Sequence, residues 1–118
     1  MYSPELLEHF RNPKNTGELP PPAVSVQTLN PACGDILHLS VLWQDGRVAG
    51  AAYRIRGCTA SIAAGSALTE LIWGRTTAEL AKLRAADIEK ILGGLPAESA
   101  HAASLCIDAV RALLRASE

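Results

Sequence analysis

The 118-residue chain reads as α+β, a small antiparallel three-stranded sheet packed on one face by helices, and three observations predict it. Apolar residues alternate along 36–43 and again along 47–56. Between those runs stands Asp45-Gly46, a two-residue step that favours a tight hairpin. After Cys58 the apolar period switches from two to between three and four and remains helical thereafter. Strands first and helices after suits helices gathered on one side of an antiparallel sheet.

Each element follows from local chemistry. Ser3 can cap a first helix with Pro4 in its opening turn, where a missing N–H costs nothing. Leu6, Leu7 and Phe10 are expected on its inner face and His9 in solvent, with Asn12-Pro13 as the stop. The stretch to Pro22, ending in Pro20-Pro21-Pro22, lacks a helical period and reads as an extended covering loop. Val24 to Leu29 has the least distinct strand pattern. From Ile36 to Trp43, Leu37, Leu39, Val41 and Trp43 face one way and His38, Ser40 and Leu42 the other. In the return strand, Arg47 to Arg56, Ala49, Ala51, Tyr53 and Ile55 alternate against Val48, Gly50, Ala52 and Arg54.

Beyond Cys58, Ala60, Ala63/Ala64, Ala67/Leu68 and Leu71/Ile72 form a helix that Gly74 ends. Thr76-Thr77-Ala78-Glu79 has capping-box spacing and opens a short helix through Leu83. Ile88, Ile91 and Leu92 mark another, stopped by Gly93-Gly94. Pro96 is expected to lead a long helix to about Ala116, with Leu105, Ala109, Val110, Leu113 and Leu114 inward.

The length bounds the chain to one domain, residues 1–118. A formal charge of −1 and a pI near 6.3 call for neither nucleic acid nor an anionic membrane. With only five aromatics, the core must be built from Ala, Leu, Ile and Val. No apolar run approaches the ~20 residues that span a bilayer. Met1-Tyr2-Ser3-Pro4-Glu5 lacks a basic n-region and an apolar h-region, which argues against secretion. Three cysteines, an odd count, argue against a full disulfide framework and for a reducing, cytoplasmic setting.

Chemistry concentrates at two junctions. Cys33 lies on the turn Asn30-Pro31-Ala32-Cys33-Gly34-Asp35, just before a strand, and Cys58 lies between a strand and a helix. A thiol so placed is held by rigid elements yet left at an edge where a metal or sulfur atom can reach it. Asp35 adds an oxygen ligand to the same turn. The bland reading makes both cysteines small buried hydrophobes, but the Cys-Gly-Asp turn and the Gly-Cys junction together favour ligands. His9 and His38 have no ligand-like spacing with the cysteines. Arg54 and Arg56 approach the site along their strand and could stabilise thiolates by charge, though a solvated sheet face explains them as well.

Taken in order, Asn12-Pro13-Lys14-Asn15 with Gly17, Asn30-Pro31-x-Cys33-Gly34-Asp35, Gly57-Cys58-x-x-Ser61, Ser66-x-x-Thr69-Glu70, Gly74-Arg75-Thr76 and Leu95-Pro96 resemble, nearly end to end, the iron–sulfur cluster assembly scaffold family, the IscU and NifU N-terminal-domain proteins. The resemblance implies a binding protein without turnover of its own, an IscU/NifU-N-like sandwich carrying a transient [2Fe–2S] cluster or Fe²⁺, with Zn²⁺ an alternative occupant. It gives Cys33 and Cys58 the roles of the family's first two cysteines, since thiolates bind iron and accept sulfur. Asp35 becomes a harder, weaker ligand that keeps the cluster labile. The implied partners are a cysteine desulfurase, cluster acceptor proteins and an Hsp70-type chaperone that reads a Leu-Pro-Pro-Val-Lys-like segment. Here that segment is Leu95-Pro96-Ala97-Glu98-Ser99, without the second proline and the lysine, which weakens the chaperone expectation.

The family's third cysteine opens its last helix, often after a histidine, seven residues past Leu-Pro. That register falls on Ala102, preceded by His101. An isolated helix histidine reads as a solvated or packed side chain, or, beside the predicted site, as the fourth member of the candidate ligand set Cys33, Asp35, Cys58, His101. Cys106 lies one turn on, a displacement of about 5.4–6 Å, too far for bonds of about 2.0–2.3 Å, and shares an apolar stripe with Ala102, Ala109 and Leu113. It reads as a packed core thiol, with a spare sulfur acceptor or redox partner as the other reading. The 44 residues from Cys58 to position 102 leave little space for the extra segment of the family's zinc-dependent sulfurtransferase branch. A zinc-bound sulfur acceptor and a regulatory or docking paralogue stand as the alternatives.

Overall fold

The computed structural model describes residues 1–31 and 34–117; Ala32, Cys33 and Glu118 lie outside the described residues. Among the described residues the sheet is three-stranded, in the order β1 (Val24–Leu29), β2 (Ile36–Gln44), β3 (Arg47–Arg56), with both pairings antiparallel. Helix α1 (Pro4–Arg11) precedes it, and α2 (Thr59–Ile72), α3 (Thr77–Leu80), α4 (Ala85–Ile91) and α5 (His101–Ala116) follow. The inner face of the sheet, including the fully buried Leu37, Leu39 and Val41, meets buried residues of α2 and α5 in one hydrophobic cluster. Among the described residues no helix is long and apolar enough to cross a membrane.

The β2–β3 hairpin turns where Asp45-Gly46 predicts. Asp45 has φ 53° and Gly46 φ 75°, the left-handed pair whose twist matches that of the flanking strands. Alternation in β3 departs from expectation at one point. Leu42 pairs with Gly50 but Trp43 pairs with Val48, so Ala49 is an extra, unpaired residue. This bulge reverses the side-chain phase: Val48, not Ala49, enters the core, at 2% exposure. A strict period of two cannot register an inserted residue.

The second sheet face is partly covered as well. Residues 15–17 run along β3, with Tyr53 N–H donating to the Asn15 carbonyl (2.9 Å) and Gly17 N–H to the Tyr53 carbonyl (2.8 Å). Leu19 reaches over Gly50, and Ser40 and Ala52 are buried there. The covering loop thus lies along the β3 edge and over part of the outer sheet face.

Helix α2 is apolar nearly all round, as a buried helix must be, and it touches α1, β3, α4 and α5. Its approach to β3 depends on Gly65, where a Cβ would lie 2.4 Å from the Tyr53 ring. The same ring donates its hydroxyl to the Ile62 carbonyl at 2.8 Å. Helix α1 begins as expected, with Ser3 accepting from Leu6 N–H at 3.0 Å, but its inner face differs. Phe10 is exposed, whereas His9 turns inward and shares a 2.7 Å hydrogen bond with the buried Ser66. Ser66 also accepts from Lys14 N–H (2.8 Å), and Asn15 donates to Thr69 (3.1 Å). Polar residues on α2 therefore fix the rotation of α1, which hydrophobicity alone assigns differently.

The Thr76/Glu79 capping box forms, and α3 ends at Leu80, short of Leu83. Pro96 does not begin the last α-helix. Residues Ala97–Ser99 make a 3₁₀ turn closed by Ser99 N–H to the Pro96 carbonyl (2.8 Å), and α5 proper starts at His101. At its far end Trp43 Nε1 donates to Ser117 (3.0 Å), which donates to the Leu113 carbonyl (2.7 Å).

Candidate metal centre

Three chain segments meet at one end of the sheet. Ile36 pairs with Arg56, so the antiparallel register sets residue 35 beside residues 57 and 58. Gly34, at φ 77°, takes a conformation that side chains rarely adopt. Its N–H donates to the Asn30 carbonyl at 2.7 Å, and Asn30 N–H donates to the Asp35 carbonyl at 2.9 Å. The turn is thereby closed, and Asp35 points inward at only 6% exposure. Cys58 is the exposed N-cap of α2, so its sulfur sits at the positive end of the helix dipole. His101, the first residue of α5, closes the third side.

The distances are those of a potential binding site. His101 Nε2 lies 3.4 Å from Asp35 Oδ2 and 3.8 Å from Cys58 Sγ, and Cys58 Sγ lies 4.0 Å from Asp35 Oδ2. One nitrogen, one sulfur and one oxygen all fall within 4.8 Å of each other. Donors bound to one tetrahedral ion at about 2.0–2.3 Å would be about 3.3–3.8 Å apart, so the cage needs a contraction of no more than about half an ångström. The donor set mixes soft and hard ligands and suits iron or zinc. Cys33, the other candidate thiol, lies outside the described residues.

Two residues that the sequence reading quoted without giving them a role complete the geometry. Ser61, fully buried, donates its hydroxyl to Asp35 Oδ2 and sits 3.3 Å from Cys58 Sγ. Gly57 lies directly against the carboxylate: a Cβ there would be 2.7 Å from Asp35 Cγ and 2.8 and 3.0 Å from its oxygens. The signal for Ser61 was its i+3 spacing from Cys58, one helical turn on the same face. Nothing in the local pattern gave Gly57 its partner.

Cys106 is wholly buried in the stripe of Ala102, Ala109 and Leu113, and burial pushes its thiol up to about 12. A protonated thiol in hydrocarbon is a poor ligand. Burial, followed by the neighbouring Cys106, likewise raises the Tyr53 phenol to about 12. Arg54 and Arg56 are exposed strand residues. They lie with His38 and Gln27 along a shallow cleft on the outer sheet face, and Arg54 stands 3.9 Å from Glu18.

Comparison with known proteins agrees with the architecture. The family model of the NifU-like N-terminal domain matches residues 1–116. The chain is 37% identical over 112 residues to "Iron-sulfur cluster assembly scaffold protein IscU 1" of Archaeoglobus fulgidus, covering 94% of this chain and 72% of the relative. It is 36% identical over 118 residues to "Iron-sulfur cluster assembly enzyme IscU" of Drosophila melanogaster, covering 97% and 76%. The crystal structure of a NifU-like N-terminal protein from Brucella abortus superposes with a TM-score of 0.76 at 23% identity, over 96% of this chain and 91% of that one. With this fold and these relatives, the chain belongs to the family of NifU-like N-terminal domains.

Proposed function

We propose that this protein is an iron–sulfur cluster assembly scaffold, a single domain that holds a nascent cluster and hands it on. The observation that carries the reading is the meeting of Asp35, Cys58 and His101 within 4.8 Å at a half-open corner, in a chain whose relatives are named as such scaffolds. The cluster, or Fe²⁺ on the way to it, is cargo rather than a resident cofactor. In this reading Cys33, Asp35 and Cys58 hold it and His101 supplies a nitrogen donor; Cys33 belongs to the set by its sequence position, two residues before Asp35. Zn²⁺ suits the same donors in protein purified without added iron.

A scaffold must grip and release. Sulfur and nitrogen donors give the grip, and the carboxylate, a harder ligand than thiolate, weakens one corner of the shell. The open side at Cys58 lets sulfur arrive from a cysteine desulfurase and cluster leave to an acceptor protein, in a compartment that keeps thiols reduced, the cytoplasm.

The test is anaerobic reconstitution with ferric iron and sulfide, which together balance to a [2Fe–2S]²⁺ unit. Visible charge-transfer absorption and near-stoichiometric iron are expected in the wild type, and both should be lost in Cys58→Ser and Cys33→Ser. Wild-type protein that takes up neither iron nor sulfide would overturn the reading.

A further inference from the structure

Asp35 Oδ2, the oxygen nearest the other two donors, is already engaged. It lies 3.4 Å from His101 Nε2 and 4.0 Å from Cys58 Sγ, and the same atom accepts the Ser61 hydroxyl. Ser61 is fully buried, so water does not relieve this contact, and its Oγ reaches only 3.3 Å from Cys58 Sγ. The carboxylate also packs against Gly57, with no space for even a Cβ between them.

We propose that Ser61 is a positioning residue that sets how readily the site lets go of its metal, by competing with the cargo for Asp35 Oδ2. The inference rests on the scaffold reading and adds a determinant of release to it. In the empty protein the buried carboxylate is satisfied by Ser61. A metal entering the site must share that oxygen with a hydrogen-bond donor, which draws charge from the lone pairs the metal needs. Gly57 does the opposite work: its missing side chain creates the seat in which Oδ2 faces Cys58 and His101. Removing the hydroxyl therefore leaves the oxygen in place but uncontested, whereas filling the seat moves the oxygen off the site.

These two effects have opposite signs, which separates positioning from general support. In Ser61→Ala, Fe²⁺ affinity, measured anaerobically by competition with a chromophoric chelator, should rise about three- to tenfold, the size of one net hydrogen bond. Cluster release to an apo-ferredoxin should slow by a similar factor. Ser61→Thr, which keeps the hydroxyl, should restore wild-type affinity, and Gly57→Ala should lower affinity about tenfold or more. Thermal unfolding of the metal-free proteins checks that each variant is folded; Ser61→Ala should melt lower when empty and gain more than the wild type on adding Fe²⁺. Equal or weaker Fe²⁺ binding in folded Ser61→Ala would overturn the proposal while leaving the scaffold reading intact. Should Ser61→Ala not fold, Gly57→Ala binding iron as tightly as the wild type would overturn it instead. A wild type that binds no iron would sink the scaffold reading and this one with it.

Discussion

At the scale of single residues, softness and burial decide the roles. Cys58 is exposed beside two other donors, while Cys106 is sealed in hydrocarbon with its thiol pushed up to about 12. Cys58→Ser is therefore expected to abolish iron retention on a desalting column. Cys106→Ala should leave the iron content unchanged and lower the unfolding free energy by about 1–2 kcal/mol, the cost of a small cavity; metal loss equal to that of Cys58→Ser would reverse the two assignments. Asp35→Cys replaces a hard donor with a soft one, so cluster release to an acceptor should slow at least severalfold, followed by loss of the visible bands. Asp35 and Cys58 stood out in the sequence because turn-forming Gly34 and the strand-to-helix junction at Cys58 leave local marks, whereas His101 entered only through the family register past Leu95-Pro96. Ser61 and Gly57 acquire their meaning only from Asp35, more than twenty positions away, and no local pattern encodes that contact.

At the scale of elements, α2 is the piece on which the site depends, since it carries Cys58 at its N-cap and Ser61 one turn later. Its seat on β3 requires Gly65, because a Cβ there would fall 2.4 and 2.5 Å from carbons of the buried Tyr53 ring. Gly65→Ala should thus destabilise by about 2–3 kcal/mol through overpacking, despite the better helix propensity of alanine. Urea unfolding would show a lower midpoint with an unchanged slope; a variant as stable as the wild type would mean that the ring can yield. The elements themselves were readable because period and punctuation are local: Asp45-Gly46 made its hairpin and Gly93-Gly94 its stop. The failures came where a neighbour intervened. The bulge at Ala49 reversed the phase that put Val48 in the core. Ser66 drew His9 inward and left Phe10 exposed, since a hydrogen bond to a buried hydroxyl outweighs what one half-covered aromatic gains.

At the scale of the whole molecule, two buried acids couple folding to alkaline pH. The Cys106 thiol is raised from 9.0 and the Tyr53 phenol from 10.0, each to about 12, both chiefly by burial. A raised folded value means that the unfolded chain loses its proton first, so this stability is complete below pH 9. It drains away as pH climbs from about 9 to 12, at up to about 1.4 kcal/mol per pH unit for each group. Denaturation midpoints in urea should hold level to pH 9 and then fall, more steeply past 10. Cys106→Ala should postpone the onset to about pH 10, and an unchanged onset would remove Cys106 as the cause. The sequence by itself determined the α+β class, the order of the elements and the hairpin, because each rests on spacing within one or two turns of chain. Only the tertiary structure decided that Asp35, Cys58 and His101 share one corner, and that Ser61 and Gly57 both touch the acid. Those contacts join segments far apart in the chain, and they exist only once β2, β3, α2 and α5 have packed and excluded water from the space between them.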